Sequence, residues 1–237
     1  MILSAPIYRL KRNARLLARE QRIPLHAALD RVAHREGYSS WSLLAARAAR
    51  PAAGLSARLN AGDLVLLGAR PGQGKTLLGL ELAIEAMKAG RRAFFFSLEY
   101  NERDVIDRFR ALGTNPSLDA DLFVFDGSDG ICADHIIARL ADAPRGTLAV
   151  IDYLQLLDQK RTNPELAVQV AALKSFADRR GLTIAVLSQI DRAYDPAEKP
   201  FPDAADIRLP NPLDLTLFDR MCFLNAGRIH LGETGRS

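Results

Sequence analysis

Gly68-Ala69-Arg70-Pro71-Gly72-Gln73-Gly74-Lys75-Thr76 holds the residue types that grip a phosphate chain. Glycines let the backbone turn its N–H groups toward one anion, and the start of a following helix adds the positive end of its dipole. Lys75 supplies a point charge for β- and γ-phosphates, and the Thr76 hydroxyl suits a Mg²⁺ ion. Ala69, Arg70, Pro71, Gly72, Gln73, Gly74, Lys75 and Thr76 are therefore the expected nucleotide-binding residues, with ATP and Mg²⁺ as the expected ligands. One letter departs from the usual G-x-x-x-x-G-K-[ST]: its first glycine is Ala69, and Gly68 stands one place early. Phosphoryl chemistry needs three further groups, and three strand ends provide candidates. Asp152 closes the apolar run Leu148-Ala149-Val150-Ile151 and suits metal support through Thr76 and water. Glu99 follows Phe94-Phe95-Phe96-Ser97-Leu98, and its strand is expected to neighbour the loop strand, within reach of an attacking water. Gln189 ends Leu187-Ser188-Gln189 and offers a neutral hydrogen-bonding group to a γ-phosphate.

The elements that must position these groups alternate. Leu64–Gly68 reads as a strand, Lys75–Lys88 as a helix and Ala93–Ser97 as a continuously apolar strand. A helix from Asn101, a strand at Leu122–Phe125 and a helix near Ala133–Leu140 follow. Leu148–Ile151 is a strand, Pro164–Arg180 a helix and Thr183–Leu187 a strand. Continuous apolar strands separated by helices predict an α/β fold with a mostly parallel sheet covered on both faces. At the end, Met221–Leu224, Asn225-Ala226-Gly227 and Arg228–Leu231 read as a β-hairpin.

The first 60 residues carry 11 Lys/Arg and 3 Asp/Glu, a net +8, whereas the whole chain of 237 residues is only +4. Helical periodicity predicts a first helix over 7–20, with Leu10, Ala14 and Leu17 inward and Arg9, Arg12, Arg15, Arg19 and Arg22 toward solvent. Pro24 opens a second helix, and Ser39 or Ser40 caps a third carrying Trp41, Leu44, Ala45 and Ala48. A basic arm on a mildly acidic body suits a polyanion such as DNA, or protein partners. Pro51 and Gly54 break the helical pattern over 50–58, so the expected division is a basic helical segment, 1–53, and an ATPase domain, 54–237. No apolar run approaches the length of a membrane span. The first residues lack the pattern of a signal peptide. Cys132 and Cys222 lie in no metal-spacing cluster, read as packing residues, and suit a reducing cytoplasm.

Taken together the motifs resemble the RecA-like ATPase core of DnaB-type replicative helicases, over about residues 55–225. Ala69-Arg70-Pro71-x-x-Gly74-Lys75-Thr76 matches the A-R-P-x-x-G-K-T loop of that family, which accounts for the missing glycine. Phe96-Ser97-Leu98-Glu99, Ile151-Asp152-Tyr153-Leu154-Gln155-Leu156 and Leu187-Ser188-Gln189-Ile190-Asp191-Arg192 resemble its F-S-L-E, I-D-Y-L-Q-L and L-S-Q-L-N-R segments. The resemblance implies a RecA-like P-loop fold and a cytoplasmic hexamer with ATP between subunits. It implies Glu99 as catalytic base, Lys75 and Gln189 as phosphate-binding catalytic groups, and channel loops that grip single-stranded DNA. Basic residues after the fourth and fifth strands are the DNA-binding candidates: Lys160, Arg161, Arg192, Lys199 and Arg208. Three departures stand out. Asp191 replaces the family's Asn, and the acidic, Pro-rich stretch Asp195–Asp206 replaces a basic loop. No K-x-R-N-G segment follows the hairpin, leaving Arg220, Arg228 and Arg236 as the arginines to consider for a trans-acting finger.

Two other readings compete. A KaiC- or RadA-like ATP-dependent switch would act on protein partners without unwinding, and its turnover would be indifferent to DNA. A nucleotide-independent DNA-binding module would depend on residues 1–53 and not on Lys75. An ABC-type ATPase is disfavoured, because no L-S-G-G-Q segment precedes Asp152.

Overall fold

Successive side chains of a strand point to opposite faces, and the first sheet strand sorts itself accordingly. Leu64 and Leu66 enter one hydrophobic cluster, and Val65, Leu67 and Ala69 enter another. The computed structural model describes residues 4–5, 7–41, 44–45, 51–112, 114, 121–158, 163–209, 211–225 and 227–232. The principal helices are α1 (Ile7–Gln21), α2 (Leu25–Arg35), α3 (Pro51–Ser56), α4 (Lys75–Lys88), α5 (Glu102–Ala111), α6 (Ala133–Arg139) and α7 (Leu166–Arg180). The strands are β1 (Leu64–Ala69), β2 (Ala93–Ser97), β3 (Phe123–Asp126), β4 (Leu148–Asp152), β5 (Thr183–Gln189), β6 (Arg220–Asn225) and β7 (Arg228–Gly232).

They form one seven-stranded sheet in the order β3-β2-β4-β5-β1-β6-β7. Every pairing is parallel except the terminal hairpin, β6 with β7. Helices α6 and α7 cover one face through Ile136, Val170, Leu173 and Phe176, joined by Leu140 just past α6. Helices α3, α4 and α5 cover the other through Leu55, Leu78, Leu82, Val105 and Phe109. The expected doubly covered parallel sheet and C-terminal hairpin are thus both present. Helix α4 approaches the sheet closely because Gly79 has no side chain. A Cβ there would meet Val150, Leu187 and Phe95 at 3.0–3.4 Å.

Two expectations change. Within the stretch read as a break, Pro51–Ser56 is the helix α3: Pro51 sits at its first turn, where its missing N–H costs nothing, and Ala52 and Leu55 are buried in the cluster shared with α4 and the sheet. Strand β2 does not neighbour β1. Both β4 and β5 lie between them, so the two are separated by about 14 Å rather than one strand spacing.

The N-terminal helices have a hydrophobic cluster of their own: Leu10, Ala14, Leu17, Ala28, Val32, Ala33, Tyr38 and Leu44. Asp30 links α2 to the following segment by accepting from the Trp41 backbone N–H at 2.8 Å. The third expected helix falls partly outside the described residues, Ala48 among them.

One half-buried acid in the scaffold has a pH consequence. Burial on α4, reinforced by Glu85, pushes the Glu81 carboxyl up to about 7. A carboxyl raised in the folded state contributes stability that is full below the unfolded value near 4.5 and is lost as pH rises through about 7. Glu81→Gln should therefore raise stability at pH 8 by about 1–3 kcal/mol, allowing for residual solvent screening, and by nothing near pH 4. Urea unfolding at the two pH values checks this.

Candidate functional site

The phosphate loop is built at the carboxyl end of β1, the edge where parallel sheets of this kind place ligands. Gly68 is still inside the strand. A Cβ on it would come within 2.9–3.0 Å of Phe223 and Ile190, so packing from β6 and the residue after β5 demands glycine there. The methyl of Ala69 fits, fully buried on the opposite face. The displaced glycine in the motif is therefore a packing glycine. Gly72 and Gly74 take φ of 78° and 91°, the left-handed region that favours glycine, and the Gln73 N–H closes a turn on Arg70 O at 3.2 Å. Gly74 precedes α4 with no side-chain cap, which leaves first-turn N–H groups for an anion.

Lys75 and Thr76, in the first turn of α4, both reach Asp152 at the end of β4. Lys75 Nζ lies 2.7 Å from Asp152 Oδ1, and Thr76 Oγ1 donates to Oδ2 at 2.7 Å. Asp152 is wholly buried, and the Lys75 side chain is 10% exposed. Charges this buried persist only when paired and hydrogen-bonded, and each carboxylate oxygen here has a donor. The Lys75 ammonium also sits over the Tyr153 ring, 4.8 Å from its centre. A hydroxyl and a carboxylate in direct contact are hard oxygen donors of the kind Mg²⁺ takes, so these residues fit the ion. Among the described residues no group of three or more His, Cys, Asp or Glu gathers at a metal-holding distance.

The other candidates lie along the same edge. Ser97 pairs with Asp152 in the β2–β4 register, and Glu99 follows two residues on, its N–H donating to Ser97 Oγ at 3.1 Å. Glu99 itself is exposed. Because β2 is not beside β1, Glu99 is related to the phosphate loop through β4, whose Asp152 meets Lys75 and Thr76. Gln189 pairs with Ala69, and the Ile190 N–H donates to Ala69 O at 3.0 Å, which sets Gln189 directly beside the loop.

The basic candidates differ in their surroundings. Lys160 and Arg161 lie outside the described residues, and so does Arg236. Arg192 is exposed. Lys199 is engaged by Asp203 Oδ2 at 2.8 Å and Asp206 Oδ2 at 2.5 Å, and these acids hold its ammonium above the ordinary lysine range. Arg208 extends Nη1 toward Gln189 Oε1 at 3.4 Å, while its N–H donates to Gln189 O. Arg220 is tied to Asp63 at 2.8 Å, and Arg228 stacks over the Phe201 ring at 5.2 Å.

Two groups escaped the sequence reading. Gln155 donates Nε2 to Arg208 O at 2.7 Å, clasping the base of the Asp191–Arg208 loop to the turn after Asp152. Only its place in the Ile151–Leu156 run hinted at this. At the end of β3, Asp126 Oδ2 holds His135 Nε2 and Arg139 Nε, each at 3.0 Å, while Ser128 Oγ meets the same His135 nitrogen at 3.1 Å. Burial opposes ionisation of Asp126, but hydrogen bonds from Ser128 and His135 outweigh it and hold the carboxyl low. One imidazole nitrogen serves both partners, so the set anchors α6 and is not a relay of the Ser-His-Asp kind. Cys222 is buried on β6 and its thiol is pushed up to about 12, which keeps it protonated and inert, as a packing residue should be.

A parallel sheet whose first strand opens into a glycine loop, with Lys, Thr and a strand-end Asp converging, defines a P-loop protein of RecA-like fold. Comparison with known proteins makes this more particular. Residues 52–120 match the family model of the DnaB-like helicase C-terminal domain. The chain is 25% identical over 200 residues to the replicative DNA helicase DnaB of Mycoplasma pneumoniae, covering 66% of this chain and 42% of that one. It is 28% identical to the Helicobacter pylori DnaB, covering 67% and 40%. It is 29% identical to a probable plasmid replicative DNA helicase of Chlamydia trachomatis, covering 62% and 39%. It thus spans about two fifths of the length of these relatives. Among solved structures, a DnaB-like replicative helicase, described together with its interactions with primase, superposes with TM-score 0.57 at 19% identity, covering 69% of this chain and 47% of its own. A KaiC-like protein of Pyrococcus horikoshii superposes with TM-score 0.52 at 15% identity, covering 68% of this chain and 70% of its own. The resemblance to DnaB-type ATPase domains read from the motifs is borne out, and so is the RecA-like fold. Among the described residues no helix is long and apolar enough to cross a membrane.

Proposed function

We propose that this chain is an ATP-hydrolysing domain of the DnaB helicase type that acts on single-stranded DNA as part of a homo-oligomeric ring, with a hexamer as the expected size. The observation that carries the proposal is the convergence of Lys75 and Thr76 on buried Asp152 beneath an uncapped helix N-terminus. The apo arrangement is self-satisfied, and a nucleotide must compete for it. Lys75 exchanges the Asp152 carboxylate for β- and γ-phosphate oxygens, while the N–H groups of Gly72, Gly74, Lys75 and Thr76 take the remaining phosphate charge. Thr76 and Asp152 would hold Mg²⁺, which supplies charge neutralisation at the phosphates when bound. Glu99, exposed at the same edge, accepts the proton of the attacking water. Gln189 reads the γ-phosphate, and its contact with Arg208 passes that state to the loop that follows. Arg192, Lys199 and Arg208, with Lys160 and Arg161, are the proposed grip on DNA.

One observation favours the switch reading. Lys199 is neutralised by two acids of its own loop, which removes a charge a DNA grip would use. Hydrolysis rates with and without single-stranded DNA separate the two, run beside solution mass with a non-hydrolysable ATP analogue. Severalfold stimulation and an analogue-stabilised ring are expected. Turnover indifferent to DNA would transfer the proposal to the switch.

A further inference from the structure

Helix α1 carries a charged face that the ATPase reading does not use. Its sequence, Ile7–Gln21, has Arg9, Lys11, Arg12, Arg15 and Arg19 against a single acid, Glu20. At 3.6 residues per turn, Lys11, Arg12, Arg15 and Arg19 fall within an arc of about 100°, with Arg9 on its flank. Leu10, Ala14 and Leu17 occupy the other side and are buried against Ala28, Val32 and Ala33 of α2. All five basic side chains are exposed, and so is Arg22 just past the helix end. Among the described residues none of the six takes part in an ion pair. Like charges this close repel each other, so the stripe is a standing electrostatic cost in the free protein that a polyanion would relieve.

From these facts we infer that the solvent face of α1 is a second nucleic-acid contact, separate from the nucleotide-dependent loops, that binds the phosphodiester backbone without reading bases. Arg9 to Arg19 span about 15 Å of rigid helix, an array matched to a repeating line of charge. Five of the six residues are Arg, whose planar fork pairs with phosphate oxygens two at a time. A lipid surface fits less well. A membrane-lying helix needs a free apolar face, and here α2 covers it; among the described residues of α1, Leu16 is the large apolar side chain left exposed. Cations in a row along one solvent face meet phosphates rather than base edges, so sequence-independent contact is the expectation.

Arg22 offers a control that separates binding from folding. Its φ is 51°, the left-handed conformation in which glycine ordinarily ends a helix. Arg22→Gly should leave the melting temperature equal or higher while removing one phosphate contact.

The test uses the full chain without nucleotide, titrated against labelled DNA and RNA duplexes by anisotropy across a salt series. The combined variant Arg12→Ala, Arg15→Ala, Arg19→Ala keeps good helix formers. It should bind at least about tenfold more weakly, with a slope of log Kd against log salt shallower by about 2.7. Arg22→Gly should make the slope shallower by about 0.9. Arginine-dependent binding to either duplex supports the inference, and the tighter duplex identifies the strand type. Wild-type slope in the triple variant, or no duplex binding at low salt, overturns it. So does preferential uptake by phosphatidylserine vesicles that the same triple variant abolishes.

Discussion

Glu99→Gln should bind ATP as the parent does and hydrolyse it about 10²–10⁴-fold more slowly, the usual worth of a positioned general base. The structure makes this a clean substitution. Among the described residues the Glu99 carboxylate holds no hydrogen bond or ion pair, and the contact that fixes the segment comes from its backbone N–H to Ser97. Replacing carboxylate by amide removes proton affinity while preserving size, so stability should move by less than about 0.5 kcal/mol. Steady-state hydrolysis and fluorescent-nucleotide titration measure the two arms. Unimpaired turnover would remove Glu99 from the mechanism and return the question to the other acids along the edge.

Lys75→Ala should reduce turnover to background, since no other side chain in the loop brings a positive charge to the inner phosphates except Arg70, which lies outside the helix turn that grips them. It carries a second, structural consequence. Among the described residues Asp152 would keep only the Thr76 hydroxyl, and a buried carboxylate deprived of its cation costs about 3 kcal/mol or more. The substitution should therefore lower apo stability as well as activity. Adding Asp152→Asn should recover much of the stability and none of the turnover, because the amide has no charge to leave unpaired. Chemical denaturation of the parent and the two variants alongside hydrolysis assays distinguishes the two roles. Equal apo stability in Lys75→Ala and the parent would mean the pair is not held in solution.

Much of the candidate site was legible because each group is local to one strand end. Lys75 and Thr76 follow a glycine turn, Asp152 ends one apolar run, and Gln189 ends another. A parallel sheet gathers such ends on one edge whatever the strand order. The order itself was not legible. Placing β2 beside β1 followed the chain, but the sheet inserts β4 and β5 between them, and no local pattern reports which buried strand sits beside which. The misread at 50–58 has a similar origin. Pro51 and Gly54 lower helix propensity, yet Ala52 and Leu55 gain enough burial in the cluster shared with α4 and the sheet to hold a short helix. Charge partners were not legible either: Lys199 meets two acids of its own loop, Asp203 and Asp206.

By itself the amino-acid sequence determined the chemistry on offer: a phosphate loop, a strand-end acid, a helix with one basic face, and the alternation that makes a covered parallel sheet. Those properties rest on residue type and short-range periodicity, which physics reads locally. Only the tertiary structure decided which partners meet. It set Ser97 opposite Asp152 and Gln189 opposite Ala69, and it explained the displaced glycine through the rings and side chains of Phe223 and Ile190. These are contacts between residues far apart in the chain. They arise from close packing of a whole core, in which each position is fixed by neighbours that no short window contains.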